Sequence, residues 1–130
     1  MMQILQPPAW ARAKGFSNGI AASGRLVFIA GQVGWTGQGE WKETSFAGQF
    51  RQTLQNILEV LAQANGRPEH IVRLTWYVID RDEYLASIKE VGAAYRELMG
   101  KHYPTMAVVQ VSGLVERNAR LEIEATAVIP

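Results

Sequence analysis

The chain has 130 residues, the length of one domain, and can bury roughly two-thirds of its unfolded surface without metal or disulfide staples. Hydrophobic residues make up 48% and charged residues 19%, which excludes a disordered protein. Thirteen basic against twelve acidic residues leave a net charge of +1, no excess with which to neutralise a run of phosphates, so nucleic acid is not an expected partner. With no cysteine there is no disulfide framework, thiolate chemistry or cysteine zinc site, a composition that fits a reducing compartment.

The opening segment to about Lys14, with Pro7, Pro8 and Trp10, reads as an extended lead-in. It has neither a basic start nor an apolar run of signal-peptide length, and no later stretch could span a bilayer, so no membrane is involved and a cytoplasmic protein is expected. Ser23-Gly24 between Gly19–Ala22 and Arg25–Ala30 predicts a hairpin. The second of these runs is almost continuously apolar, which predicts a central strand buried on both faces. A glycine-rich loop, 31–39, follows; it lacks the Gly-Lys-Ser/Thr ending of a phosphate loop and carries Trp35, with Trp41 just beyond.

Between Thr44 and Asn65 the period changes to that of a helix. Phe46, Phe50, Leu54, Ile57, Leu58 and Leu61 form one stripe, Thr44 or Ser45 can cap the start, and Asn65-Gly66 with Pro68 supplies the stop. Ile71–Ile79 is β-branched and aromatic, hence a strand. Asp80-Arg81-Asp82-Glu83 lacks the pattern of a calcium loop and reads as charge complementing the start of a second helix. The stripe of that helix is Tyr84, Leu85, Ile88, Val91, Tyr95 and Leu98, ending at Gly100. Tyr103-Pro104 opens a strand over 105–111, and Arg120–Val128 alternates as a last strand, with Leu121, Ile123, Ala125 and Ala127 facing one way.

This order predicts an α+β fold in which two helices cover one face of a mixed sheet of five to six strands. The strands carry apolar residues on both sides, so the opposite face is expected to be buried against other copies of the chain.

Several pieces of the chain now resemble, in order, the RidA family, also called YjgF or endoribonuclease L-PSP. They are Gly15-Phe16-Ser17, the strand ending Ile29-Ala30-Gly31-Gln32-Val33, the helix segment Gln49–Ile57, Tyr77–Asp80, Tyr103-Pro104-Thr105-Met106 and Leu121–Ala125. The resemblance implies one RidA-like domain over residues 1–130, a chorismate-mutase-like fold and a homotrimer with a small-molecule cleft at each subunit interface. It further implies hydrolysis of reactive imines or enamines such as 2-aminoacrylate to a keto acid and ammonia, with no cofactor. In the family an arginine grips the substrate carboxylate, a glutamate on the last strand positions water, and a serine and a tyrosine complete the pocket.

Carried over by position, the arginine falls on Met106, the serine on Ala30 and the tyrosine on Phe16, while Gly31 matches and the glutamate survives as Glu122. A methionine can neither orient nor neutralise a carboxylate. Losing one partner of a desolvated charge pair costs about 2–5 kcal/mol, so 2-aminoacrylate is expected to be a poor substrate. The same changes make the expected cleft apolar around one carboxylate, favouring a neutral or cationic ligand, with Glu122 as candidate general acid/base. The site expected from sequence is therefore Glu122 with Phe16, Ala30, Gly31 and Met106. The alternative is a trimer that binds a small molecule or a partner without turnover; an endoribonuclease or translation inhibitor fits the near-neutral charge less well.

His70 and His102 stand alone, so no metal site is expected, and His102 reads as a cation at the end of the second helix.

Overall fold

The computed structural model describes residues 2–130. Six strands fall into two sheets. β1 (Met2–Leu5) pairs antiparallel with β2 (Gly19–Ala22), while β3 (Arg25–Gln32), β4 (Ile71–Val78), β5 (Thr105–Gln110) and β6 (Leu121–Ile129) form a mixed sheet in the order β3-β6-β4-β5. Among the described residues only β4 and β5 run parallel, as expected of two strands joined by a helical crossover.

The α+β class holds, with α1 (Phe46–Ala62) and α3 (Ile88–Met99) packed on one face of the four-stranded sheet. Alternation decides which side chains meet them. Ile71, Leu74, Trp76 and Val78 of β4 and Leu121, Ile123, Ala125 and Ala127 of β6 point into the helical layer and are buried. Phe50, Leu54, Ile57 and Leu61 of α1 close over them with no exposed surface. Each such side chain contributes roughly 1.5–3 kcal/mol on burial, which makes this layer the principal apolar core.

Four sequence expectations change. The hairpin across Ser23-Gly24 does not form: β2 pairs with β1, part of the lead-in, and β3 pairs with β6. Gly24 instead passes the end of β6, where a Cβ would lie 2.3 Å from the Ile129 carbonyl oxygen, and its φ of +148° favours glycine. The β3 run is not a central strand. It is an edge of the sheet, with Leu26 and Phe28 59% and 75% exposed, because the helices cover only one face.

The second helix is broken in two. Asp80 caps α2 (Arg81–Ala86) by accepting from the amides of Asp82 and Glu83, and Ser87 leaves helical geometry while its hydroxyl donates to the Glu83 carbonyl at 2.8 Å. Leu85 and Ile88, flanking the break, are consequently half exposed rather than core. Finally, His102 does not stand alone: its Nε2–H donates to the Ile71 carbonyl at 2.6 Å, tying the end of the crossover to the start of β4.

Candidate functional site

The residues proposed from sequence separate into two groups on opposite faces of the sheet. Met106 pairs in register with the buried Leu74 and therefore points to the helical side. Phe16 is brought beside it by the N-terminal segment. The Ser17 amide donates to the Pro104 carbonyl at 3.1 Å and the Ser17 hydroxyl to the Tyr103 carbonyl at 2.5 Å, clamping that segment to the entrance of β5. Gly15 makes the preceding turn with φ +79°.

Phe16 and Met106 line one cleft of about 600 Å³ between this segment, β5 and α3. Its walls are largely aromatic and aliphatic: Trp76, Tyr84, Val91, Tyr95 and Tyr103 contribute. Phe50 stacks on Trp76 with centroids 4.9 Å apart, Tyr84 meets the same indole edge-on, and Tyr95 stacks on Tyr103. The Tyr95 hydroxyl donates to the His102 carbonyl at 2.6 Å, and burial with the nearby Tyr103 pushes its ionisation far above the ordinary tyrosine range. The Trp76 indole N–H is buried and finds no acceptor within the described residues.

Glu122 lies on the other face, between the core residues Leu121 and Ile123, and is half-buried. Its carboxylate rests on Gly31, where an added Cβ would come within 2.0 Å of Oε2. The β3–β6 register shifts between Ile29 and Gln32, so Ala30 and Gly31 sit on a bulge that lets the backbone approach this side chain. Ala30 also borders a hollow of about 540 Å³ on the open face with Phe28, Arg73 and Glu124, and Glu124 accepts a 2.7 Å hydrogen bond from the Tyr77 hydroxyl. That bond, with a smaller contribution from burial, raises the Tyr77 ionisation.

Met106 stands on the edge strand β5, whereas Glu122 stands on β6, two strand spacings or about 10 Å away, beside Ala30 and Gly31 of the other edge strand, β3. One protomer does not bring Met106 and Glu122 together.

Sequence reading missed four contributors. Lys14 and Arg96 line the same cleft as Met106, so that cleft is not devoid of cations as the Met106 substitution alone implied. The remaining two are Gln49 and Asn56, buried on the apolar stripe of α1. Gln49 donates to the Glu43 and Asn118 carbonyls at 3.2 and 2.9 Å and accepts from the Arg120 amide at 2.8 Å, fixing the chain two residues before Glu122. Asn56 donates to the Val33 and Trp35 carbonyls and so pins the glycine-rich loop to α1. Polar residues spaced four and three apart along a greasy stripe (Gln49, Thr53, Asn56) were the available signal. Trp35 and Trp41 pack on each other at 5.7 Å, away from the cleft. Among the described residues no three potential metal ligands group together, and no helix is long and apolar enough to cross a membrane.

The sequence profile of the family described as endoribonuclease L-PSP matches residues 7–129. A RutC family protein of Pyrococcus horikoshii is 34% identical over 113 residues, covering 86% of this chain and 85% of that protein. TdcF of Escherichia coli, provisionally named a reactive intermediate deaminase, is 32% identical over 108 residues, covering 81% and 80%. The crystal structure of YyfB of Yersinia pestis, described as a Rid family protein of unknown function, superposes with a TM-score of 0.87 at 29% identity over 98% of both chains. Matched along nearly its whole length in both sequence and fold, the chain belongs to the endoribonuclease L-PSP family, whose members also carry the names Rid and YjgF.

Proposed function

We propose that the protein is a Rid-type hydrolase of a reactive imine or enamine bulkier than 2-aminoacrylate, working in clefts completed between copies of the chain in a homotrimer. The observation that carries this reading is the division of the site. Phe16 and Met106 line a cleft beside the β5 edge, Glu122 rests on Gly31 near the β3 edge, and only a second copy can bring one group to the other. Leu26, Phe28 and Val109 on the uncovered face, 59%, 75% and 43% exposed, supply apolar surface for such an assembly.

In the proposed reaction water adds to the carbon of the C=N bond, and the resulting carbinolamine expels ammonia to leave a carbonyl. Glu122 takes one proton from the attacking water and passes it to the nitrogen as the C–O bond forms, then takes the hydroxyl proton of the carbinolamine and passes it to the same nitrogen as the C–N bond breaks. A cleft of about 600 Å³ is sized for a ligand far larger than the six heavy atoms of 2-aminoacrylate, and Met106 offers that small anion no charged partner. The name TdcF carries supports deaminase chemistry in a relative; it does not specify this chain's substrate.

The replacement of the family's arginine, serine and tyrosine by Met106, Ala30 and Phe16 equally favours a second reading, a trimer that binds its ligand without turnover. One experiment separates the readings. With 2-aminoacrylate generated in situ, wild type is expected to be far slower than Met106→Arg, and Glu122→Gln on the Met106→Arg background is expected to abolish the gain. Wild-type activity equal to the arginine variant refutes the argument from Met106. No gain from the arginine, with binding intact, favours the non-catalytic reading.

A further inference from the structure

The cleft contains a guanidinium that the family pattern does not provide. Arg96 projects from α3 and lines the cleft together with Lys14. Its acidic neighbour Glu97 is already engaged by Arg51, and among the described residues no carboxylate or carbonyl pairs with the Arg96 side chain. The guanidinium folds back over Gly92, one helical turn earlier, where a Cβ would lie 3.3 Å from Nη1. Glycine is a poorer helix former than alanine, and here it leaves clear the space that the cation occupies. The wall that Arg96 shares is apolar and aromatic, formed by Ile88, Val91, Trp76 and Tyr84.

A planar, permanently charged fork beside an aromatic wall recognises a carboxylate carrying an aryl or branched aliphatic body. We infer that Arg96, assisted by Lys14, is the anion-binding group of this cleft, and that the ligand is a carboxylate with a bulky apolar or aromatic tail. This deepens the reading of the cleft as the ligand site and rests on it. It replaces the neutral or cationic ligand that Met106 alone suggested. A small anion can pair with Arg96 but leaves the apolar wall uncovered and so binds weakly. A longer acid does both.

The test is calorimetric titration of the full chain with three probes: 3-phenylpropanoate, its neutral isostere 3-phenylpropanamide, and propanoate. Wild type is expected to bind the aromatic acid at least about tenfold more tightly than either of the others. Arg96→Gln is expected to weaken the acid by about tenfold and leave the amide unchanged, with Arg96→Lys intermediate because it keeps charge and loses the fork. Arg96 is solvent-exposed, so these variants do not threaten the core. Equal binding of acid and amide by wild type, or acid binding indifferent to Arg96→Gln, overturns the anion assignment and leaves the cleft as a ligand site. Binding of none of the three overturns both.

Discussion

Replacing Gln49 by methionine keeps the length of the side chain and removes its amide. The Arg120 amide, half-buried at the start of β6, then loses its acceptor, a penalty of roughly 1–3 kcal/mol for an unsatisfied donor. The Glu43 and Asn118 carbonyls lose their donor but belong to exposed residues, where water can replace it, so each contributes only about 0.5 kcal/mol. The expected loss is about 2–4 kcal/mol. For a domain of this length that corresponds to a fall in melting temperature of about 7–15 °C. Differential scanning calorimetry on Gln49→Met beside the exposed control Gln55→Met reads this directly. A fall below about 2 °C, or one equalled by the control, refutes the claim that this amide holds the Glu122 strand against α1.

Gly31→Ala places a carbon where the Glu122 carboxylate rests, so that group must retreat by more than an ångström. With φ outside the left-handed region, stability should change by less than about 1 kcal/mol, while any turnover depending on Glu122 falls by about tenfold or more. Unaltered turnover would remove Glu122 from the mechanism. Phe28→Asp buries a charge in the proposed interface, so sedimentation velocity should find wild type as the proposed trimer and the variant as monomers; an unchanged size distribution contradicts that interface. For Tyr95, raised in the fold by burial and by Tyr103, the stabilisation is complete below the unfolded tyrosine value of about 10 and is lost as pH climbs from there towards the folded value. Urea midpoints should therefore fall between about pH 9.5 and 11.5, and less steeply in Tyr95→Phe. Identical slopes would refute the linkage.

The amphipathic periods of α1 and β6 were strong enough in the sequence to place both to within two or three residues, because each has a single buried face. What pattern alone did not reveal was pairing. The short β1 has no apolar alternation, and its identity as a strand depends on β2, some fourteen residues away. The apolar run of β3 suggested burial on both faces because sequence does not distinguish a neighbour in the same chain from one in another copy. The break at Ser87 was hidden because the apolar spacing continues through it, while the competing hydroxyl bond to Glu83 leaves no mark on that spacing. At the site, position-by-position reading singled out Phe16 and Met106, which line one cleft, but not Arg96, which reaches that cleft from a different element, α3.

Setting Met106 and Glu122 on opposite faces of the sheet, with β4 between their strands, has a genetic consequence. In a ring of identical chains built as proposed, a lesion at Glu122 disables a pocket that its own protomer shares with a neighbour. Chains damaged at Glu122 and chains damaged in the Phe16 wall, co-expressed in one cell, would assemble rings in which some pockets draw only intact halves. Two inactive alleles would then complement one another.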